Sequence, residues 1–573
     1  MSVSTMAADE KADEKQTRKT RTDWADIELT GSYPESHQLP GLFGDLTESL
    51  PTCLDRLAQA ARDRSIKGVL LRIDGVSVGW ARLHEIRRGI QAIQAEGKPV
   101  WAILNDADTK EYLLASGCDR VIISEPATLM LTGLRAEVMF YRNLFELLDV
   151  KADMLRVGAF KSAAEPYTRT EMSDEFRLQM EELLDDHFDA LVAKIAEGRK
   201  RSPEEVEAAI DEGLLPASHA KELGLVDDIA YADQLVSLIQ GDDESLDVRI
   251  REDYRKHKPN TELDLFTLMQ LLAGPQQSGQ TGPRIAVIRA EGMIVTGSVP
   301  TGLFGEASIS SDKFVPLITK LGKDDNVKAI VLRVDSPGGS ALASDLIWRA
   351  LEATGKPIVA SMGDTAASGG YYISMGADRI FADEGTLTGS IGVVGGKISF
   401  EGLMNKVGVT TTVIRRGQNA GILSVTSAFT DSERNAMQRM LDHIYQQFTT
   451  KAADGRGMEH GALEKLARGR VYTGRQAKEL GLVDELGSLN DAIAHARKLA
   501  GDTEGKLDLD ELPRPISPLE MLMGQRESVS PVPSVIAAVL PESMHRLMHH
   551  WIGLRQLSEE PTLLVLPYAV TID

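Results

Sequence analysis

Two residues that could do chemistry together stand far apart in this 573-residue sequence. Ser368 lies among small residues in the run GDTAASGGY, and Lys161 follows small and apolar residues in the run RVGAFKSAAEP. A serine hydroxyl is a weak nucleophile until a base takes its proton. A lysine amine in a dry environment has a lowered pKa and suits that task near neutral pH. The pair predicts acyl transfer if the fold brings the two side chains together.

Taken singly, each residue has an ordinary structural explanation. A serine between a strand and a helix is commonly an N-cap, and a lysine is commonly a solvated surface residue. An N-cap, however, does not need Gly369 and Gly370 behind it, because glycines in an early helical turn cost stability. At such a junction the hydroxyl would lie at a helix N-terminus, which favours a developing negative charge.

The elements that must position these residues come from an internal duplication. Residues 220–227 and 477–484 are identical (AKELGLVD), and residues 66–74 (IKGVLLRID) match residues 327–335 (VKAIVLRVD). The latter runs are typical of strands buried on both faces of a helix-covered parallel sheet. Strands and helices alternate in both copies, so each half is predicted to be an α/β domain.

Positions at which the copies differ are the candidates for function. The second copy has DSPGGS at residues 335–340, where paired glycines allow backbone N–H groups to face a ligand as an oxyanion hole requires. Considered alone, this segment could also be a tight turn. The first copy lacks the glycine pair and the serine, whereas the second has Ala420 where Lys161 would lie. The candidate groups are complementary, so we expect the two domains to face each other.

Composition limits the other classes of function. A net charge of −22 without a basic stripe argues against nucleic-acid binding. Cys53 and Cys118 have no His or Cys neighbours at metal-ligand spacing, which predicts two reduced thiols and neither a disulfide framework nor a zinc site. The N-terminus is polar and no sufficiently long apolar run follows, so we expect no signal peptide or membrane-spanning helix.

These motifs together resemble the long, two-domain form of the signal peptide peptidase A (protease IV) family. The resemblance covers roughly residues 28 to 500 and rests on the segments around Asp335, Ser368 and Lys161, together with TLTGSIG at residues 386–392. It implies tandem Clp-protease and crotonase-like domains, each a mainly parallel sheet with covering helices. It also implies a Ser/Lys dyad, no cofactor and a homotetramer.

By this resemblance, Ser368 is the nucleophile, Lys161 the general base and Ser390 the second serine that orients the lysine. Backbone N–H groups of Gly369 and of Gly338 or Gly339 would form the oxyanion hole. The expected reaction is endopeptidase cleavage of short hydrophobic peptides such as released signal peptides. Two alternatives are a crotonase-like enzyme acting on acyl-coenzyme A and a catalytically inactive scaffold.

The sequence also predicts the domain organisation. We expect a polar, disordered N-terminus (1–27), a lysine-bearing domain (28–241), a linker (242–283), a serine-bearing domain (284–500) and a C-terminal extension (501–573). Membrane-bound members of the family carry an anchor ahead of the first domain, where this chain is polar. We therefore expect a soluble, cytoplasmic protein. A helical apolar stripe at residues 534–557 would pack on protein or rest peripherally on a membrane.

Overall fold

The computed structural model describes residues 20–36, 48–243, 245–256, 282–297, 308–513 and 562–565. Its strands are β1 (Thr20–Gly31), β2 (Ile66–Val76), β3 (Val100–Leu104), β4 (Arg120–Ile123), β5 (Thr128–Leu131), β6 (Lys151–Val157), β7 (Gly213–Pro216), β8 (Asp228–Ile229), β9 (Leu246–Arg251), β10 (Arg284–Glu291), β11 (Met293–Val295), β12 (Ser308–Ser310), β13 (Val327–Ser336), β14 (Gly338–Ser340), β15 (Ile358–Ala367), β16 (Arg379–Ala382), β17 (Leu387–Gly389), β18 (Val393–Ser399), β19 (Val471–Thr473), β20 (Glu485–Leu486), β21 (Asp508–Leu512) and β22 (Thr562–Val565).

The α-helices alternate with these strands, and there are also two short 3-10 turns (Ser162–Ala164 and Ala232–Gln234). They are α1 (Leu50–Arg62), α2 (Trp80–Ala95), α3 (Thr109–Ala115), α4 (Arg142–Leu148), α5 (Glu165–Thr168), α6 (Asp174–Arg199), α7 (Pro203–Glu212), α8 (Ala217–Glu222), α9 (Leu235–Gln240), α10 (Ser311–Lys323), α11 (Ala341–Glu352), α12 (Gly369–Ser374), α13 (Glu401–Lys406), α14 (Asp431–Arg456), α15 (His460–Leu466), α16 (Gly474–Glu479) and α17 (Leu489–Leu499).

Each repeat forms its own sheet with a buried core. The first sheet has the order β8-β4-β3-β2-β1-β9 and is parallel throughout. The second has the order β19-β17-β15-β13-β10-β21, with β16 and β20 branching from β15, and only β19 runs antiparallel to its neighbour. The central strands of both sheets are almost fully buried because helices cover both faces. The predicted tandem α/β fold is confirmed.

A third sheet joins the two repeats, in the order β12-β11-β14-β22-β18-β6. Strand β6 comes from the first repeat and pairs antiparallel with β18 of the second, from Val393 opposite Val157 to Ser399 opposite Lys151. This ladder places the segment after β6 against the segment before β18. It is the structural basis of the site described below.

Several strands cross the predicted domain boundaries. Strand β1 begins at Thr20, inside the predicted disordered terminus, and β9 (Leu246–Arg251) pairs with it from the predicted linker. Strands β21 and β22 likewise extend the second repeat beyond residue 500. Strands β9 and β21 are sheet edges, and β22 is an internal strand of the third sheet; their pairing comes from tertiary contacts rather than from a strong local pattern. The apolar stripe at 534–557 and linker residues 257–281 lie outside the described residues.

A buried ion network also holds the repeats together. Arg82, on α2 of the first repeat, forms ion pairs with Asp335 and Asp364 of the second. Its backbone N–H donates to Asp364 Oδ1 at 3.0 Å. Arg333 of the second repeat in turn pairs with Glu35 at 2.6 Å and Glu85 at 2.9 Å, and all three side chains are buried. The domain interface therefore depends on charges that are satisfied only across it.

We expect Arg82→Met to lower the free energy of unfolding by about 3–5 kcal/mol, because it leaves buried carboxylates without their partner. Chemical denaturation measures this loss. Arg135→Met is the matched control, since Arg135 and Glu137 form an exposed pair worth about 0–1 kcal/mol. Equal stability of the two variants would contradict the role of Arg82.

Candidate active site

Ser368 lies in the single-residue gap between β15 and α12, in a backbone conformation that is unusual for a residue with a side chain. Its φ of 56° and ψ of −110° differ from the usual N-cap geometry, and its hydroxyl makes no capping hydrogen bond. Instead its N–H donates to the Gly389 carbonyl at 2.8 Å, and its own carbonyl accepts from Tyr372 at 2.9 Å. Strained residues of this kind persist where the surroundings fix them, as at catalytic sites.

The two glycines after Ser368 are required by packing. A β-carbon on Gly369 would lie 2.7 Å from Ser344 Oγ and 3.1 Å from both Gly338 Cα and Gly339 N. A β-carbon on Gly370 would lie 2.6 Å from the Ser336 carbonyl oxygen. The backbone after the serine therefore runs directly against the glycine strand β14. This contact explains why α12 starts with residues that are poor helix formers.

Lys161 reaches the site from the first repeat through the β6–β18 ladder. Its segment is held by the loop before β19: the Phe160 N–H donates to the Arg468 carbonyl at 2.9 Å, and a β-carbon on Gly469 would lie 2.6 Å from Lys161 Cβ. On the other side, Arg156 Nη1 donates to the Lys161 carbonyl at 3.3 Å and to Glu165 at 2.6 Å. The lysine backbone is thus fixed by both repeats.

The structure brings Lys161, Ser368 and Ser390 together. Lys161 Nζ lies 2.7 Å from Ser368 Oγ, 2.8 Å from Ser390 Oγ and 2.9 Å from the Ser390 carbonyl oxygen. All three residues are fully buried. Ser390 also has a positive φ, 54°, which turns its side chain and its carbonyl toward the same amine. The three side chains form one hydrogen-bonded group although more than 200 residues separate the lysine from each serine.

Burial lowers the pKa of the Lys161 amine well below its ordinary value of 10.5, and no charged neighbour adds to that shift. An ammonium removed from water without a carboxylate partner is costly, so the protein favours the neutral amine. A neutral amine has one lone pair and two N–H donors. The hydrogen-bond geometry allows the Ser368 hydroxyl to donate to the lone pair, while the two N–H groups donate to the hydroxyl and carbonyl oxygens of Ser390.

Glycines of β14 line the other side of Ser368. Gly338 has a φ of 104°, which an L-residue rarely adopts, and a β-carbon there would lie 2.8 Å from the Gly369 nitrogen. The Gly338 N–H donates to Ser336 Oγ at 3.1 Å. Gly339 is opposite Ile294 on one side and Leu564 on the other. The candidates for an oxyanion hole are therefore the Gly369 amide together with that of Gly338 or Gly339.

Sequence reasoning missed several parts of the site. It identified neither the loop at residues 468–470, nor the Arg156–Glu165 pair, nor β22, which lies beside β14. The sequence signals were weak, because the loop contacts Lys161 through its backbone and β22 lies in the C-terminal extension, which has no counterpart in the first repeat.

Within the described ranges, no group of three or more His, Cys, Asp or Glu residues could hold a metal ion. In the same ranges, no helix has the length and apolar character needed to cross a membrane.

Comparison with known proteins defines the class. The sequence model of peptidase family S49 matches twice, at residues 92–244 and 350–502, once in each repeat. The chain belongs to peptidase family S49 and is a serine peptidase, a hydrolase that acts on peptides.

The chain is also similar to full-length relatives. It is 35% identical to "Serine protease SPPA, chloroplastic" of Arabidopsis thaliana, over 86% of this chain and 72% of the relative. It is 31% identical to "Protease 4" of Salmonella typhi, over 89% of this chain and 81% of the relative. Among solved structures, a point mutant of ClpP1 from Listeria monocytogenes aligns with 36% of this chain and 94% of that one, at 14% identity and a TM-score of 0.25. The predicted resemblance to the signal peptide peptidase A (protease IV) family is confirmed by the two relatives.

Proposed function

We propose that this chain is an endopeptidase in which Ser368 attacks a peptide carbonyl and Lys161 takes the proton from its hydroxyl. The single observation that carries the proposal is the 2.7 Å distance between Lys161 Nζ and Ser368 Oγ inside a fully buried site. This distance lies within the reach that a general base needs. Ser390 holds the amine through two further contacts, so it is proposed as a positioning residue.

The proposed reaction balances over two steps. In the first, Ser368 Oγ bonds to the carbonyl carbon while its proton moves to Lys161, and the lysine then gives that proton to the leaving amine as the C–N bond breaks. In the second, Lys161 takes a proton from water, whose oxygen attacks the acyl-enzyme, and returns it to Ser368 as the ester bond breaks. The Gly369 amide, with that of Gly338 or Gly339, would stabilise the negative oxygen in both steps.

We further propose short hydrophobic peptides, such as released signal peptides, as substrates. In support, Ala164 and Val394, close to Lys161 and Ser390 in the chain, form a buried apolar cluster with Leu563. The homotetramer, the cytoplasmic location and a peripheral contact with a membrane stay predictions.

Covalent labelling tests the proposal against its two alternatives. A fluorophosphonate or β-lactone probe should add to Ser368 as shown by peptide mapping, and the same preparation should hydrolyse an apolar peptide. An unlabelled chain that turns over an acyl-coenzyme A thioester would favour the crotonase-like alternative. An unlabelled chain without either activity would favour the inactive scaffold.

Ser390→Ala should lower kcat by roughly 10- to 100-fold with little change in KM, because Lys161 loses one of its three polar contacts but keeps the other two. Steady-state kinetics with an apolar peptide measure the effect. The matched control is Ser399→Ala, a buried serine at the far end of strand β18, which begins shortly after Ser390. A loss equal to that of Lys161→Ala would contradict a purely positioning role.

A further inference from the structure

Strand β15, which ends next to Ser368, contains a bulge. One residue of β13, Asp335, lies opposite three of β15, residues 363–365. The flanking pairs are Val334 with Met362 and Ser336 with Ala366. Before the bulge β15 also pairs with β16, and after it with β17. A bulge bends a strand and redirects the side chains that follow it, so residues 363–365 set the direction in which β15 presents Ser368.

The first repeat, which lacks the serine, has no register shift between the corresponding strands. There β2 and β3 pair in unbroken register, and β3 ends at Leu104 with the last of these pairs. The bulge and the strand residues after it therefore belong to the serine-bearing repeat. This difference between the two backbones directly precedes the nucleophile.

Two aspartates hold the bulge. Asp335 Oδ1 accepts a hydrogen bond from the Thr365 N–H at 2.9 Å, which gives this backbone group of the bulge an acceptor. Asp364 turns toward the first repeat, where its Oδ1 accepts from the Arg82 N–H at 3.0 Å. A β-carbon on Gly79 would overlap the Asp364 carboxylate, so this side chain packs directly against the start of α2.

Arg82 joins the two aspartates from the other repeat. Its guanidinium pairs with Asp335 through Nη2 and with Asp364 through Nε, the latter at 3.1 Å, and none of the three side chains is more than 16% exposed. Burial raises the pKa of both carboxyl groups, and the Arg82 charge counteracts this shift. Since the repulsion between the carboxylates is offset by a cation of the first repeat, the bulge keeps its shape when the two repeats are docked.

We propose that Arg82 is a positioning residue for Ser368: by holding Asp335 and Asp364, it fixes the bulge that directs the nucleophile toward Lys161. The proposal rests on the proposed function. The first repeat then contributes twice to the site, with the base and with the cation that sets the direction of the nucleophile. Because a misplacement of about 1 Å costs roughly 100-fold in rate, a contact that acts only through the bulge has a large effect.

Labelling kinetics test this role against a purely structural one. The rate at which a fluorophosphonate probe reacts with Ser368 should fall by roughly 10- to 100-fold in Arg82→Met. Arg289→Met is the matched control, because Arg289 also bridges the repeats but forms its ion pairs with Glu35 and Glu511. It should label at the wild-type rate. In peptide hydrolysis, Arg82→Met should lose kcat and keep KM within about twofold.

Asp364→Asn is a second variant, since Arg82→Met can impair folding. The amide keeps the size of the side chain and an oxygen for the Arg82 N–H, and it removes only the charge. Labelling of Ser368 should slow by about fivefold or more. A wild-type rate in this variant would overturn the proposal, as would equal losses of rate in Arg82→Met and Arg289→Met.

Hydrogen exchange separates failure of this proposal from failure of the proposed chemistry. In Asp364→Asn, and in Arg82→Met where it folds, the amides of residues 363–368 should exchange about tenfold faster than in the wild type or Arg289→Met, whether or not Ser368 is a nucleophile. A wild-type chain that does not label at Ser368 would contradict the proposed function. Unchanged exchange at residues 363–368 would contradict the positioning role and make Arg82 a contact between the repeats only.

Discussion

Replacing Ser368 or Lys161 by alanine should lower kcat/KM for an apolar peptide by about 10⁴-fold or more. Nucleophile and base act as one unit, and losses of this size follow when such a unit loses either member. The double variant should therefore be no worse than either single variant. Steady-state and single-turnover kinetics with one fluorogenic peptide compare all three.

The fold should survive both substitutions. Lys151, exposed at the opposite end of β6, provides the matched control Lys151→Ala, which should keep full activity. Residual activity above about one tenth in Ser368→Ala or Lys161→Ala would refute the dyad, since a positioned base alone contributes about 10²- to 10⁴-fold.

The stability of Lys161→Met is an independent check on the neutral amine, because the lowered pKa fixes the direction in which the free energy of unfolding changes with pH. The lysine pKa is lowered in the folded state, so between that value and the ordinary 10.5 the unfolded chain binds more protons. Wild-type stability should consequently rise with pH through this window. Lys161→Met should lack that rise and be at least as stable as the wild type at neutral pH.

Gly369→Ala should lower kcat by about 10²- to 10³-fold, the size of losing one oxyanion donor. A β-carbon at this position would come within 2.7 Å of Ser344 Oγ and 3.1 Å of the β14 backbone. Ser344, the β14 backbone or residue 369 itself must therefore shift, and we expect this to displace the residue 369 amide relative to Ser368. Kinetics on the purified variant measure the loss.

Gly461→Ala is the matched control, because it also lies near the start of a short helix but approaches only the flexible Glu459 carboxylate, at 3.0 Å. It should leave activity unchanged. If Gly369→Ala kept wild-type kcat, the amide of residue 369 would have no part in the reaction.

The repeats themselves explain what could be predicted from the sequence. Buried strands such as Val327–Ser336 are continuous apolar runs, and the long helix α14 opens with the Thr430–Glu433 capping box, so both have strong local signals. The complementary differences between the two copies predict Ser368 and Lys161 as the candidate catalytic residues from the sequence alone. Their roles remain predictions, although the structure places the two side chains in contact.

The rest depended on tertiary contacts that no local pattern encodes. Strand β9 pairs with β1 across more than 200 residues, and the loop at Gly469 supports Lys161 through backbone packing. The four residues of β22 form a strand because β14 and β18 leave a place for them. A short apolar run in a tail cannot be distinguished by sequence from a segment that packs elsewhere.

The central claim is that a neutral Lys161 amine takes the proton of Ser368. Its most direct test is the single-turnover rate at which a fluorophosphonate probe phosphonylates Ser368 with loss of fluoride, measured from about pH 5 to pH 10 in the wild type and in Lys161→Ala. We predict that the wild-type rate rises through one ionisation well below 10.5 and then levels off, and that Lys161→Ala reacts slowly without that step. An ionisation at the ordinary lysine value, or the same profile in both proteins, would contradict the account.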